Sequence, residues 1–129
     1  MNDFYLKATA KTPEVRFESE SGNFLFEGRS ILENSVDFYK PLNEWLDSFL
    51  EVPTPKIHMD VKFEYFNTSS SKCLVEILRK LEKAHMSGKT KVHVDWYYEE
   101  EDEDMLDSGE DFRQIVNFPV QLCMMDDNY

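Results

Sequence analysis

The feature that most constrains the fold is a change of periodicity near residue 67. From Ile57 to Phe66, apolar and polar residues alternate strictly, whereas from about Ser69 to Met86 the apolar residues recur at helical spacing. Strict alternation predicts a strand with one covered face, and a stripe at helical spacing predicts an amphipathic helix. The chain therefore contains a strand that leads directly into a helix, which favours an α/β fold.

The segment before this strand predicts an antiparallel meander and then one helix. The helix follows the capping sequence Glu33-Asn34-Ser35 and extends to about Leu50. Pro41 lies inside it, and because proline removes a backbone donor and clashes with the preceding turn, we expect a kink or a restart near Lys40. The predicted meander consists of strands Phe4–Ala8 and Glu14–Glu18, a turn at Ser21-Gly22-Asn23, and a strand Phe24–Phe26 closed by Gly28.

After the second helix, the strand and helix patterns alternate once more. A strand pattern covers Lys91–Tyr98, and the acidic run Glu99–Asp104 precedes a helical pattern. Acidic residues complement the dipole at a helix start, and an electrostatic docking role for the run is the alternative. The last predicted elements are a strand through Phe118, Val120 and Leu122 and a frayed tail at Met124–Tyr129. We predict a single α/β domain over residues 1–129, with helices mainly on one face of a mixed sheet.

Charge and composition exclude several classes of function. The chain of 129 residues carries a net charge of -12, which argues against nucleic acid or an anionic membrane as the main partner. No run approaches the ~20 apolar residues of a membrane span, and the first residues lack the pattern of a signal peptide. We therefore expect a cytoplasmic protein without membrane insertion. We interpret Cys73 and Cys123 as inert thiols, because no metal-ligand spacing surrounds them.

A run of hydroxyl side chains, Thr68-Ser69-Ser70-Ser71, stands where the second helix begins. A helix cap needs only one side-chain oxygen, which Asn67 or a serine can supply. The spare hydroxyls stand beside unpaired backbone amides and the positive end of the helix dipole. A phosphate added there would be partly neutralised by these amides and by Lys72. The alternative is a redundant cap on a polar loop.

The sequence contains no recognisable catalytic motif. Nucleophile-elbow, P-loop, dinucleotide-binding and zinc-protease patterns are all missing. His58 with Asp60 and His93 with Asp95 occupy the polar faces of two strands, and they would cluster if those strands were neighbours. We interpret them as solvated cross-strand pairs rather than as a metal site. We expect a non-enzymatic protein that needs neither metal nor cofactor.

Several segments, taken in order, resemble the SiaC-type regulatory phosphoproteins. The match extends from about Thr12 to Leu122, and it is carried by the order and spacing of the segments rather than by one motif. The acidic run is heavier than the family pattern requires. The matching segments are Glu33-Asn34-Ser35, Phe38-Tyr39-Lys40-Pro41 with Trp45-Leu46, Tyr65-Phe66-Asn67-Thr68-Ser69-Ser70-Ser71-Lys72, Leu81-Glu82-Lys83-Ala84-His85, Val94-Asp95-Trp96-Tyr97-Tyr98, and Glu110-Asp111-Phe112 before Phe118-Pro119.

This resemblance implies a fold similar to the STAS domains of anti-sigma factor antagonists. In the family, a dedicated kinase phosphorylates a threonine at the start of the second helix, and a metal-dependent protein phosphatase removes the group. The unmodified protein activates a diguanylate cyclase, so the switch governs cyclic di-GMP and biofilm growth. The resemblance implies that Thr68 is the phosphoacceptor. Its implied environment and partner-binding surface comprise Asn67, Ser69, Ser70, Ser71 and Lys72.

Other functions remain open from the sequence. An anti-sigma factor antagonist would bind an anti-sigma kinase through the same helix start in a partner-switching pathway. An enzyme would depend on the two His–Asp pairs. A purely structural interaction domain would explain the acidic surface and leave the hydroxyl run as a cap.

Overall fold

A computed structural model describes residues 1–125 of the chain. Six strands and three helices follow one another along these residues. They are β1 (Phe4–Leu6), β2 (Glu14–Phe17), β3 (Asn23–Ser30), α1 (Ser35–Leu50), β4 (Lys56–Phe66), α2 (Thr68–Met86), β5 (Lys91–Glu99), α3 (Glu103–Ile115) and β6 (Val120–Met125).

The strands form one mixed sheet in the order β1-β2-β3-β4-β5-β6. The first three strands are antiparallel neighbours, whereas β3, β4, β5 and β6 run parallel to one another. Each parallel step is made through one helix and moves in the same direction across the sheet. Because such crossovers are right-handed, all three helices lie on the same face. The predicted meander, mixed sheet and one-sided helices are confirmed.

The core lies between the helices and this covered face. On β4, the side chains of Ile57, Met59, Val61 and Phe63 are buried, as the alternation predicts. Apolar side chains from each helix complete the same cluster, among them Leu46 of α1, Leu74 of α2 and Phe112 of α3. The opposite face of the sheet carries polar side chains, and no helix within residues 1–125 covers it. The domain therefore has one packed and one open sheet face.

A β-bulge changes the orientation of the last residues of β4. Phe63 pairs with Gly28, but Tyr65 pairs with Arg29, so Glu64 has no partner residue in β3. One extra residue reverses the inward and outward alternation. Continued alternation from Ile57 predicts that Tyr65 faces the core, and this prediction is wrong, because Tyr65 is 54% exposed. Phe66 takes the inward position instead and packs on Trp96 with a centroid distance of 6.0 Å.

Other boundaries also differ from the sequence predictions. Gly28 does not close β3, since the strand continues to Ser30. Pro41 lies within α1, which runs without interruption, so no restart occurs near Lys40. The prediction of a frayed tail from Met124 onward is wrong for Met124 and Met125, because both residues belong to β6. Residues 126–129 lie outside the described residues.

Candidate functional site

The starts of α1 and α2 meet at the carboxyl end of the parallel strands. Asn34 caps α1 and Asn67 caps α2. The Oδ1 atom of Asn67 accepts a hydrogen bond of 3.0 Å from the backbone amide of Ser70, and its Nδ2 atom donates one of 2.8 Å to the carbonyl of Leu32. One side chain therefore caps α2 and ties it to the segment that leads into α1.

Two of the four hydroxyls in the run are engaged in this junction. The hydroxyl of Ser69 lies 2.7 Å from that of Ser35 and donates to the carbonyl of Leu32 over 3.1 Å. The hydroxyl of Ser70 donates to the carbonyl of Ser30 over 3.0 Å. Ser70 and Ser30 are fully buried. These two serines hold α2 against α1 and β3, so they have a structural role.

A buried tyrosine extends the hydroxyl network into the core. The Tyr39 hydroxyl lies 2.8 Å from that of Ser30, which itself lies 2.7 Å from that of Ser70. Burial raises the pKa of Tyr39 to about 12, and the hydrogen bond with Ser30 opposes part of this rise. Tyr39 therefore stays protonated at neutral pH. Polar groups in a buried network of this kind stabilise a unique arrangement only while each is satisfied.

Thr68 is exposed, whereas Ser69 is half-buried and Ser70 is buried. Thr68 is the first residue of α2. Within residues 1–125, its hydroxyl and the backbone amides of Thr68 and Ser69 have no hydrogen-bond partner. Lys72 is also exposed and lies one turn further on, where residues four apart face each other. A group attached to Thr68 thus meets solvent, unpaired amides and one cation.

The structure brings all the sequence-predicted site residues together, but it gives them different positions. Asn67 is the cap, Ser69 is half-buried and Ser71 is half-buried in the first turn. Ser70 belongs to the surroundings of Thr68 as predicted. The prediction that it also belongs to the partner-binding surface is wrong, because Ser70 is buried. Ser70 is buried because the start of α1 packs against the start of α2, where Ser35 contacts both Ser69 and Ser70.

Sequence reasoning missed three members of this site as functional positions. Ser30 ends a strand, Ser35 reads as part of a capping sequence, and Tyr39 fits the apolar stripe of α1. Nothing local distinguishes these roles from ordinary strand and helix positions. Their hydroxyls meet only because β3, α1 and α2 converge at one end of the sheet.

The acidic run lies at this same end of the domain, because it follows the carboxyl end of β5. Asp102 caps α3 by accepting a hydrogen bond of 3.0 Å from the amide of Met105, and Glu103 and Asp104 occupy the first turn. The predicted complement to the helix dipole is confirmed. The remaining acids, Glu99, Glu100 and Glu101, are exposed and give this end a negative surface.

Exposed apolar side chains occur in the segments that adjoin the start of α2. Ile31 is 36% exposed, Val36 is 70% exposed and Tyr65 is 54% exposed. Ile31 and Val36 flank the segment from Leu32 to Ser35, which forms hydrogen bonds with Asn67 and Ser69. Tyr65 lies two residues before Asn67, in β4. This end of the domain therefore combines apolar and charged side chains, as protein interfaces do.

The two His–Asp pairs lie elsewhere, on the open face of the sheet. The strands β4 and β5 are neighbours in register, so His58 pairs with His93 and Asp60 with Asp95. The Nε2 atoms of His58 and His93 lie 3.0 and 2.7 Å from the two carboxylate oxygens of Asp95. The condition under which the sequence predicts a cluster is thus met.

The two cysteines are free thiols. Burial, and less strongly the charge of Glu76, raises the pKa of Cys73. The dipole of α2 does not produce a reactive thiolate there, which agrees with the interpretation of an inert cysteine. In the described part of the chain, no helix has the length and apolar character required to cross a bilayer.

Comparison with known proteins gives a consistent result over the length of the chain. A family model described as SiaC family regulatory phosphoprotein matches residues 6–125. An uncharacterized protein of Pseudomonas aeruginosa strain UCBPP-PA14 is 30% identical over 127 residues, which cover 98% of this chain and 100% of that protein.

Solved structures show the same similarity. SiaC of Pseudomonas aeruginosa matches with a TM-score of 0.88 at 29% identity, over 97% of this chain and 100% of that chain. A chain in the crystal structure of the diguanylate cyclase SiaD in complex with its activator SiaC, also from Pseudomonas aeruginosa, matches with a TM-score of 0.89 at 29% identity. That match covers 95% of this chain and 100% of the other. The resemblance found in the sequence is confirmed.

Proposed function

This chain belongs to the SiaC family of regulatory phosphoproteins, and we propose that it activates a diguanylate cyclase and is switched off by phosphorylation of Thr68. The proposed output is control of cyclic di-GMP and hence of biofilm growth. The protein acts by binding, and it catalyses no step itself.

Similarity to an activator supports the choice of partner. The Pseudomonas aeruginosa relative whose fold this chain shares is described as the activator of the cyclase SiaD. The start of α2 offers a mixed surface of the kind that a protein partner can cover, with Ile31, Val36 and Tyr65 exposed beside it. We propose that the cyclase docks on this end of the domain.

The observation that carries the choice of Thr68 is the difference between neighbouring hydroxyls. Ser69 and Ser70 are bonded within the junction, and Ser70 is fully buried. Thr68 is exposed at the first position of the helix. A kinase can therefore reach Thr68 without disturbing the contacts between α1 and α2.

Electrostatics supports an inhibitory effect. A phosphoryl group adds about -1.5 to -2 charges, and it would stand at the end of the domain that carries the exposed acids Glu99, Glu100 and Glu101. A partner that fits the unmodified surface then meets like-charge repulsion and a group that is costly to desolvate. A coupling of about 3 kcal/mol changes affinity roughly 150-fold, which is enough for a switch.

The proposal includes two enzymes that act on Thr68. A protein kinase adds the phosphoryl group, and a metal-dependent protein phosphatase removes it. Both need an exposed acceptor, and both would act in the cytoplasm. Lys72 and the free amides at the start of α2 would hold the phosphate once it is attached.

Binding of the cyclase to substituted proteins tests the proposal. Thr68→Ala removes the acceptor and keeps the surface uncharged, and we expect it to bind the cyclase as the unaltered protein does. Thr68→Asp adds a negative charge, and we expect weaker binding. Gln114→Glu is the matched control, since it adds the same charge at an exposed position near the end of α3.

Equal affinity of Thr68→Ala and Thr68→Asp would contradict the switch. An equal loss in Gln114→Glu would show that total charge, rather than position, governs binding. Binding to an anti-sigma kinase in place of the cyclase would favour the anti-sigma factor antagonist function instead.

A further inference from the structure

The open face of the sheet carries a compact group of imidazole and carboxylate side chains that the regulatory function does not use. His58 and Asp60 project from β4, and His93 and Asp95 project from β5. Successive positions on one face of a strand are two residues apart. Because the two strands are parallel and in register, the two His-x-Asp sequences are superimposed side by side.

The atoms that could bind a metal converge on Asp95. One Nε2 atom from His58, one from His93 and a carboxylate oxygen of Asp95 all lie within 4.8 Å of one another. The Nε2 of His58 is 3.0 Å from Oδ2 of Asp95, and the Nε2 of His93 is 2.7 Å from Oδ1. Each imidazole therefore presents its ligand nitrogen, rather than its carbon edge, to the same carboxylate.

We propose that His58, His93 and Asp95 form a binding site for a divalent transition-metal ion, of the class to which Zn²⁺ belongs. Two imidazoles and one carboxylate are the ligand set of many zinc sites. An ion held tetrahedrally at ligand distances of about 2.0–2.2 Å separates its ligand atoms by about 3.3–3.6 Å. The three ligand atoms now lie within 4.8 Å of one another, so small side-chain rotations bring them to this spacing.

Charge and surroundings also suit a dication. Asp60 lies 3.1 Å from the Nε2 of His58, so a second carboxylate stands beside the ligands. Two carboxylates balance a divalent ion, and Asp60 or a water can complete a fourth position. The imidazole ligands favour zinc and its neighbours over Mg²⁺, which prefers oxygen. On binding, the ion replaces the protons that the imidazoles share with Asp95, and these protons pass to Nδ1 or to solvent.

The site is partly enclosed. The side chain of Asp95 is 15% exposed, and those of His58 and His93 are 34% and 38% exposed. The ring centroids of His58 and His93 lie 5.2 Å apart, and the two ring planes make an angle of 24°. Tyr97 lies on the same face, where burial and then the charges of Asp60 and Asp95 raise its pKa. Lys62 lies over the Tyr97 ring, 4.8 Å from its centroid.

A thiol next to the site needs separate treatment. Cys123 of β6 pairs with Tyr97 of β5, which lies two residues beyond Asp95 on the same strand, so the thiol is on a strand next to the ligands. A thiolate could capture zinc without any help from the histidines. The test therefore has to distinguish an imidazole and carboxylate site from a thiolate site.

Calorimetric titration of the full chain, freed of any histidine tag, with ZnCl₂ tests the proposal. We expect one equivalent to bind. His58→Gln and His93→Gln should each weaken zinc binding by at least about 10–100-fold. That is the loss seen in known metal sites when a residue that hydrogen-bonds to a ligand is removed. His85→Gln is the matched control, because His85 lies outside the cluster. Its Nδ1 atom accepts a hydrogen bond from the backbone amide of Val92. Cys123→Ser should bind as the unaltered chain does.

Titration with Co²⁺ gives a second measurement that does not depend on the heat of binding. We expect visible d–d bands without a thiolate charge-transfer band, and we expect the bands to disappear in His58→Gln and His93→Gln. Circular dichroism of each variant shows whether it is folded. No binding by the unaltered chain would show that the cluster is solvated His–Asp pairing only. Unchanged binding in both histidine variants, or loss in Cys123→Ser, would likewise overturn the proposal.

Discussion

The hydroxyl oxygens of Ser35 and Ser69 lie 2.7 Å apart and join the first turn of α1 to the first turn of α2. Through this contact, a residue beside the proposed phosphoacceptor is fixed to a helix that follows a different strand. Ser70 makes a second link, to Ser30 at the end of β3. The start of α2 is therefore held in place by these contacts, and of Thr68, Ser69 and Ser70 only Thr68 is exposed.

Substitution of Ser70 tests how much these contacts contribute to stability. Ser70→Ala removes a buried hydroxyl that bonds to the carbonyl and hydroxyl of Ser30, and we expect the free energy of unfolding to fall by about 1–3 kcal/mol. Ser71→Ala is the control one residue further on. It should change stability by no more than about 0.5 kcal/mol, since its side chain is outside the network. Equal urea midpoints for the two variants would contradict a structural role for Ser70.

Tyr39 predicts how stability depends on alkaline pH. Its pKa rises from the ordinary 10.0 to about 12 in the folded chain, because burial disfavours the phenolate. Between these values the unfolded chain loses the phenolic proton while the folded chain keeps it. The free energy of unfolding therefore falls as pH rises, by up to about 3 kcal/mol for this group.

Tyr39→Phe removes that contribution. Chemical denaturation of both proteins at pH values from 10 to 12 checks the prediction. The stability advantage of the unaltered protein over Tyr39→Phe should shrink steadily across this range. A constant difference would show that the tyrosine titrates in the folded chain as it does in the unfolded one.

Gly109 lies in α3 at a position where alanine should destabilise the fold. A Cβ atom at this position would lie 2.5 Å from Cδ1 of Trp96 and 2.7 Å from Cδ2 of Leu122. Glycine to alanine in a helix is ordinarily stabilising by about 1 kcal/mol, but here we expect a loss of about 1–3 kcal/mol from overpacking.

Ser108→Ala is the control, since it places an alanine in α3 at the preceding position. It should leave the melting temperature nearly unchanged, whereas Gly109→Ala should lower it. Near-ultraviolet circular dichroism should also change in Gly109→Ala, because Trp96 is buried and donates to the carbonyl of Met105. A stabilised Gly109→Ala would contradict the close approach of α3 to β5.

Much of this architecture is predictable from local patterns. The alternation in β4, the cap at Asn67 and the stripe of α2 each depend on residues that are close in the chain. The family resemblance then singles out Thr68 among four hydroxyls. That choice stays a prediction, and the structure adds that Thr68 is exposed whereas Ser70 is buried.

What the sequence could not show depends on residues that are distant in the chain. The bulge at Glu64 arises from pairing with Gly28 in β3, and it reverses the side of the sheet on which Tyr65 lies. Lys80 of α2 lies 2.8 Å from Asp47 of α1, a pair between two helices that helical spacing within α2 does not predict. The burial of Ser70 likewise depends on where α1 packs. Each of these outcomes is decided by tertiary contacts.

The most direct test of the central claim is the activity of a purified diguanylate cyclase mixed with this protein, unmodified or phosphorylated at Thr68. We predict that the unmodified protein raises cyclic di-GMP synthesis and that stoichiometric phosphorylation, verified by mass spectrometry, removes the activation. Treatment with a metal-dependent phosphatase should restore it. Equal activation by the phosphorylated and unmodified forms would contradict the account.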